Sequence, residues 1–255
     1  MFLEQQGIMK ANFIVGLIIL LKIVSWPGSV IAGAGKPQHG DRATITHSGR
    51  VSGSVFLSGE YRRSPPLKVV KSRSFCGLTV PNDTLLVGPD GGVRNAVVTM
   101  RPLDRTAAIH PGRIVLDNRQ CAFVPHVQVA MVGSELILKN SDPILHTVHA
   151  RIGKDTLFNV GLPRWRQVSK VLARIGVLKI DCDVLHTWMS AAIVVVSTPY
   201  FYVTGENGLF AFDGIPAGNY DIEIWHERLG TKTARVSVSD NAAISFEIVY
   251  ANTPR

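Results

Sequence analysis

Residues 181–189 read D-C-D-V-L-H-T-W-M and place Cys182, His186 and Met189 within eight residues. A thiolate, an imidazole and a thioether in so short a span are metal-ligand chemistry. Residues 140–149 read N-S-D-P-I-L-H-T-V-H and add a second imidazole at His146. One Cys, two His and one Met are the donors of a mononuclear copper centre in which Cys and both His bind in a trigonal plane and Met sits weakly on the axis. The flanks fit a strand–loop–strand setting. Residues 175–180 alternate in polarity, and 191–196 (A-A-I-V-V-V) are apolar and rich in β-branched side chains. Residues 136–139 read as an earlier strand and 140–143 as the turn that delivers His146. Singly, Cys182 is equally a small buried hydrophobe, His186 a turn residue and Met189 core filling; together, at this spacing, they select copper. Zinc sites rarely use a thioether, and a structural one would need more Cys.

This layout resembles the cupredoxins, plastocyanin among them. The Cys-x3-His-x2-Met loop is most similar to the C-terminal half of the binuclear copper loop of cytochrome oxidase subunit II. That site needs a second Cys four residues upstream, where this chain has Leu178. The resemblance therefore implies one copper ion, with Cys182 as thiolate, His146 and His186 in plane, and Met189 axial. Residues 121–127 (C-A-F-V-P-H-V), 140–149, 182–189 and 224–230 (I-W-H-E-R-L-G) also resemble plastocyanin-like proteins of bacterial methylamine utilisation, a likeness that runs over about residues 49–240. Thr187 stands where such relatives often carry Pro and Thr198 where they often carry His; neither is a proposed ligand. The resemblance implies a periplasmic copper protein that passes electrons to and from a redox partner such as a cytochrome or dehydrogenase. Copper storage or delivery through the same ligands, and a non-redox sandwich module that binds carbohydrate or a protein, remain open.

A second signature lies in 200–250. Thr204, Gly208 and Phe210 form T-x-x-x-G-x-F, and Pro216, Gly218 and Tyr220 form P-x-G-x-Y. The pattern resembles the carboxypeptidase regulatory-like, transthyretin-like sandwich. About 50 residues are too few for such a sandwich, and 49–57 and 93–100 read as its missing first strands. The expected fold class is thus all-β, a cupredoxin Greek-key sandwich combined with a transthyretin-like β-sandwich. The expected divisions are a signal segment at 1–34, first strands at 49–100 (or an N-terminal part of the copper domain), the copper domain at 101–197 and the rest of the second sandwich at 198–250. Insertion of one unit into the other and a tandem arrangement both fit. No segment keeps a 3.6-residue apolar period, so little helix is expected.

The 255 residues are 46% apolar and 18% charged, which suits a globular chain. Net charge is +8, but Lys and Arg are scattered without interleaved aromatics, so nucleic acid is not an expected partner. Residues 1–34 carry Lys10, an apolar run at 13–24 broken by Lys22, and small residues suited to cleavage after Ala32 or Ala34. Cleavage would leave a periplasmic protein with no membrane span; an uncleaved anchor is the alternative. In an oxidising compartment Cys76 and Cys121 are free to pair, closing a loop worth about 4 kcal/mol in the chain-entropy model; both could equally stay reduced.

Enzyme constellations are missing: there is no G-x-S-x-G, no G-x-G-x-x-G and no H-E-x-x-H. The chain is therefore read as a non-enzyme. Among the other histidines, His149 lies three residues beyond His146 and so on the opposite strand face. His126 reads as a buried, hydrogen-bonded ring, His226 as surface packing, and His39, His47 and His110 as loop residues. Asn140 or Ser141 is expected to brace the loops near the sulfur.

Overall fold

The computed structural model describes residues 48–251, and the signal segment, His39 and His47 lie outside them. Eighteen strands and one four-residue helix follow in order: β1 (Ser48–Ser58), β2 (Leu67–Lys68), α1 (Arg73–Cys76), β3 (Thr79–Val80), β4 (Val97–Pro102), β5 (Arg113–Arg119), β6 (Ala122–Val124), β7 (Val127–Met131), β8 (Glu135–Asn140), β9 (His146–Ile152), β10 (Asp155–Leu162), β11 (Gln167–Val171), β12 (Gly176–Asp181), β13 (Ser190–Val196), β14 (Tyr200–Val203), β15 (Leu209–Pro216), β16 (Gly218–His226), β17 (Gly230–Val238) and β18 (Ala243–Ala251). The all-β class is the one the sequence pattern implies. Among the described residues no helix is long and apolar enough to cross a membrane.

The strands form two sandwiches. In the first, sheets β15-β1-β18 and β14-β4-β16-β17 face each other across Val55, Met100, Phe210, Tyr220, Ile224 and Ile248. Its strands come from both ends of the described chain: β1 pairs with β15 and β18, and β4 with β14 and β16. In the second, sheets β10-β9-β12-β13-β7 and β11-β8-β5-β6 enclose Leu116, Leu136, Leu138, Val148, Leu178 and Ile193. The excursion that contains β2, α1 and β3 lies between strands of the first sandwich in sequence, yet Val69 and Val80 pack into the second core.

Strand β13 explains how the sandwiches meet. Its residues Ile193 and Val195 point into the second core. Ala192, Val194 and Val196 point the other way and pack with Val97, Val127 and Val129, backed by Phe201 and Trp225. A strand covered on both faces loses the polar alternation of an exposed sheet, which is why A-A-I-V-V-V is continuously apolar. The apolar stretch at 122–131 is divided into β6 and β7 around Pro125, which has no N–H to give a ladder.

Gly208 shows why the G-x-F pattern needs its glycine. Its φ is +67°, and a Cβ there would stand 2.2 Å from the Val55 carbonyl oxygen. The turn before β15 can therefore lie directly on β1 only without a side chain.

Burial of β13 on both faces predicts that Ile193→Ala costs roughly 2–5 kcal/mol. Val194→Asn, harmless on a solvent-facing strand, should also cost about 1–3 kcal/mol by stranding an amide. Urea unfolding of both variants checks this, and a wild-type midpoint for Val194→Asn would refute the two-faced packing.

Candidate metal centre

Strand β12 is the middle strand beside β9 and β13, and Cys182 follows directly on its end. His146 opens the neighbouring β9, so the turn at 140–145 starts a new strand with the ring instead of ending β8 with it. The loop from Cys182 then runs through His186 to β13. Met189 N–H donates to the His186 carbonyl at 2.9 Å, closing that loop, and Leu185 takes a left-handed φ of +66° just before the ring.

Three donor atoms converge. The sulfur of Cys182 lies 4.0 Å from Nδ1 of His146 and 3.8 Å from Nδ1 of His186, and the two Nδ1 atoms are 3.1 Å apart. All three residues are buried. Met189 is buried in the same core as Cys182 and Trp188. These separations can be tested against an ion. With bonds of about 2.3 Å to sulfur and about 2.0 Å to nitrogen, typical of a first-row divalent metal, they subtend roughly 100°, 120° and 135° at the ion. Those angles nearly close a circle, so the three donors describe an almost flat trigonal seat, the arrangement of a Cys-His-His copper plane. The donor set and its spacing fit the group.

The remaining polar atoms of the rings are answered by protein. Nε2–H of His146 donates to Asp142 Oδ2 at 2.9 Å, which leaves the Nδ1 lone pair facing the sulfur. Asp142 also accepts the backbone N–H groups of Gln120 and Cys121 at 2.7 and 2.9 Å. Its own N–H donates to Asn140 Oδ1 at 2.9 Å. On the other ring, Nε2 of His186 meets Ser72 Oγ at 3.2 Å. Trp188 lies against that ring with centroids 5.0 Å apart and donates its indole N–H to the Cys121 carbonyl at 3.0 Å. Burial is the largest influence on both rings and lowers their proton affinity. His186, further disfavoured as a cation by His146 and Lys71, falls to about 4, and His146 falls despite the opposing pull of Asp142. Both imidazoles are thus neutral at physiological pH, the form that ligates.

The bonds to sulfur come from Thr147, whose N–H and hydroxyl stand 3.4 and 3.7 Å from Cys182 Sγ. Asn140 braces the turn instead, giving its amide to the Ile144 and Leu162 carbonyls at 2.8 Å each, and Ser141 bonds Asp117. Asp142, Thr147 and Ser72 were not singled out by sequence. Asp142 could have been, since an Asp four residues before a ligand His in a turn is a natural partner for it; Ser72 had no local signal. Cys76 and Cys121 form a disulfide, so Cys121 is no ligand although it lies beside Asp142 and His146.

Other histidines lie apart from the three donors. His149 faces outward to Asp183 and Thr156. His126 is held between the Ser190 carbonyl and Glu227; burial disfavours its cation, but the carboxylate outweighs that and raises its proton affinity. His226 is buried, not on the surface, on the same face of β16 as Tyr220, Ile222 and Ile224, which fill the core of the first sandwich. Its Nδ1 accepts the Arg228 N–H at 3.2 Å.

No family model and no curated protein matches the chain. Solved structures do show likenesses. A purple cupredoxin from Nitrosopumilus maritimus is 21% identical, with 33% of this chain and 99% of that chain covered and a TM-score of 0.29. A reduced amicyanin variant is 20% identical, covering 38% of this chain and 99% of that one, with a TM-score of 0.30. A copper-containing nitrite reductase from Thermus scotoductus SA-01 is 18% identical over 38% of this chain, with a TM-score of 0.31, and the match spans only 25% of the reductase. The copper reading rests on the geometry above.

Removing a carboxylate that serves one ring and two amides should be costly. Asp142→Ala is expected to lose roughly 3–5 kcal/mol of metal-free stability in denaturant titration; a loss under about 1 kcal/mol would show the carboxylate to be dispensable. A pH effect follows from His226, which burial pushes down to about 4. The unfolded ring protonates near its ordinary value of about 6.5. Between those values the unfolded state binds more protons, so stability falls as pH drops through that window. His226→Asn, which keeps an acceptor for Arg228, should flatten that part of the stability-against-pH curve.

Proposed function

We propose that the protein is a mononuclear type 1 copper protein of the cupredoxin kind, carrying electrons between redox partners in the periplasm and not acting as an enzyme. The convergence of Cys182 Sγ with Nδ1 of His146 and of His186 in a flat, buried triangle carries this reading. Met189, buried in the same core as Cys182, would be the fourth donor. Copper held there supplies one-electron Cu(I)/Cu(II) chemistry.

The chain's own part is to hold the donors still. Asp142 keeps the His146 lone pair aimed inward, and Thr147 steadies the sulfur with two weak hydrogen bonds. Burial of all three residues keeps water from adding to or replacing a ligand in either oxidation state. The same enclosure favours electron carriage over delivery, because handing over an ion requires a ligand that the receiver can reach, and His186 is only 1% exposed. Export is supported by the signal-like segment at 1–34 and by the Cys76–Cys121 disulfide, which suits an oxidising compartment. A cytochrome or a dehydrogenase is the expected kind of partner.

The exported protein supplied with Cu(II) should take up one ion and show intense visible absorption from sulfur-to-copper charge transfer. Cys182→Ser should remain folded and lose that band. The colour should bleach and return on cycles of reduction and oxidation without release of the ion. Uptake without a Cys182-dependent band would end the type 1 reading, and release on reduction would point to storage or delivery.

A further inference from the structure

Ser72 belongs to a segment with no part in the ligand loop. It immediately precedes α1, where Phe75 and Cys76 donate their N–H groups to its carbonyl at 3.0 and 2.9 Å. Arg73 Nε bonds back to the Val69 carbonyl at 2.8 Å, so the short turn is tied at both ends. Cys76 then joins this turn covalently to Cys121. Cys121 gives its N–H to Asp142 and its carbonyl to Trp188. Two chains of contact thus start at one covalent bond. One runs from Cys76 through Ser72 to the outer nitrogen of His186. The other runs from Cys121 through Asp142 to the outer nitrogen of His146.

The backbone marks the same places. Among the described residues seven non-glycine positions have left-handed φ, and four of them, Ser72 (+57°), Gln120 (+53°), Cys121 (+58°) and Leu185 (+66°), surround the donors. Such conformations are disfavoured for residues with a Cβ and persist where surrounding structure over-determines them, commonly at functional sites.

We infer that the disulfide-tethered segment from β2 to β3 is a positioning element of the metal centre: the Cys76–Cys121 bond couples the braces of both imidazoles, and Ser72 is the group that seats His186 and closes it from solvent. This rests on the copper reading. With His186 Nδ1 turned to the sulfur, Nε2 carries the ring proton and donates it to Ser72 Oγ. Loss of the hydroxyl frees the ring to turn, and loss of the disulfide loosens both rings together.

The test uses the full exported chain loaded with Cu(II), in wild type, Ser72→Ala, Ser72→Thr and Cys76→Ser/Cys121→Ser. Ser72→Ala should speed copper loss to a chelator about ten-fold, the lower end of what a lost partner of a ligand costs. It should also shift the charge-transfer band; Ser72→Thr should restore both. The double variant should shift the band further and lose copper faster still. Wild-type chelator rates and spectra in Ser72→Ala would overturn the inference, whether or not the double variant folds. If wild type takes up no copper, the proposed function fails, and solvent exchange of the His186 ring N–H in the metal-free protein decides instead. A ring proton that is slow to exchange in wild type and fast in Ser72→Ala upholds the brace, and equal rates refute it.

Discussion

The Nδ1 atoms of His146 and His186 stand 3.1 Å apart against a buried thiol, and each ring has its outer nitrogen engaged by protein. Buried polar groups are expensive unless bonded, so this arrangement fixes which atoms face which. Asp142 is the keystone. It accepts hydrogen bonds from the ring N–H of His146 and from two backbone amides, and is itself oriented by Asn140. The remaining nitrogen of each ring is turned toward the sulfur. The centre is therefore prepared by the protein's own hydrogen bonds, and a bound ion would not have to assemble it.

Preparation of this kind needs rigid supports, and the layering supplies them. The ligand loop hangs between β12 and β13, and β13 is gripped from both sides, by the core around Ile193 and by the contact layer around Val194. The first sandwich is thus more than a neighbour in sequence. Its strands β4, β14 and β16 form the wall that covers the outward face of β13, while His126 and Glu227 are joined by a hydrogen bond across the same junction.

Much of this was legible in the sequence, where one spacing or alternation decided the matter. The nearness of Cys182 and His186 was readable because they lie four positions apart in one loop, and β13 because full burial writes itself as an unbroken apolar run. The Cys76–Cys121 pair was narrowed to two outcomes by simple exclusion, since a liganding Cys182 leaves only two. What sequence hid was contact between distant segments. Ser72 touches His186 across 114 positions, and nothing around K-S-R-S-F-C advertises it. His226 was misread as a surface group because W-H-E looks like the end of an exposed strand; only the packing of two sheets shows that its face is covered. The turn at 140–143 was seen, but not that a new strand begins on the ring itself.

The pairing of β1 has a bearing on how the molecule comes into being. Its partners β15 and β18 lie some 160 to 190 positions later, with Ser52 opposite Ala211 on one side and Ser245 on the other. All strands of the second sandwich, by contrast, fall between Arg113 and Val196 and need nothing from the last fifty residues for their ladders. During synthesis the inner unit can therefore knit itself together while β1 waits with both edges bare. Distant pairings form slowly, and unpaired strand edges invite association with other chains. The sandwich built from the two ends is the vulnerable interval in this protein's biogenesis, when a chaperone has most to protect.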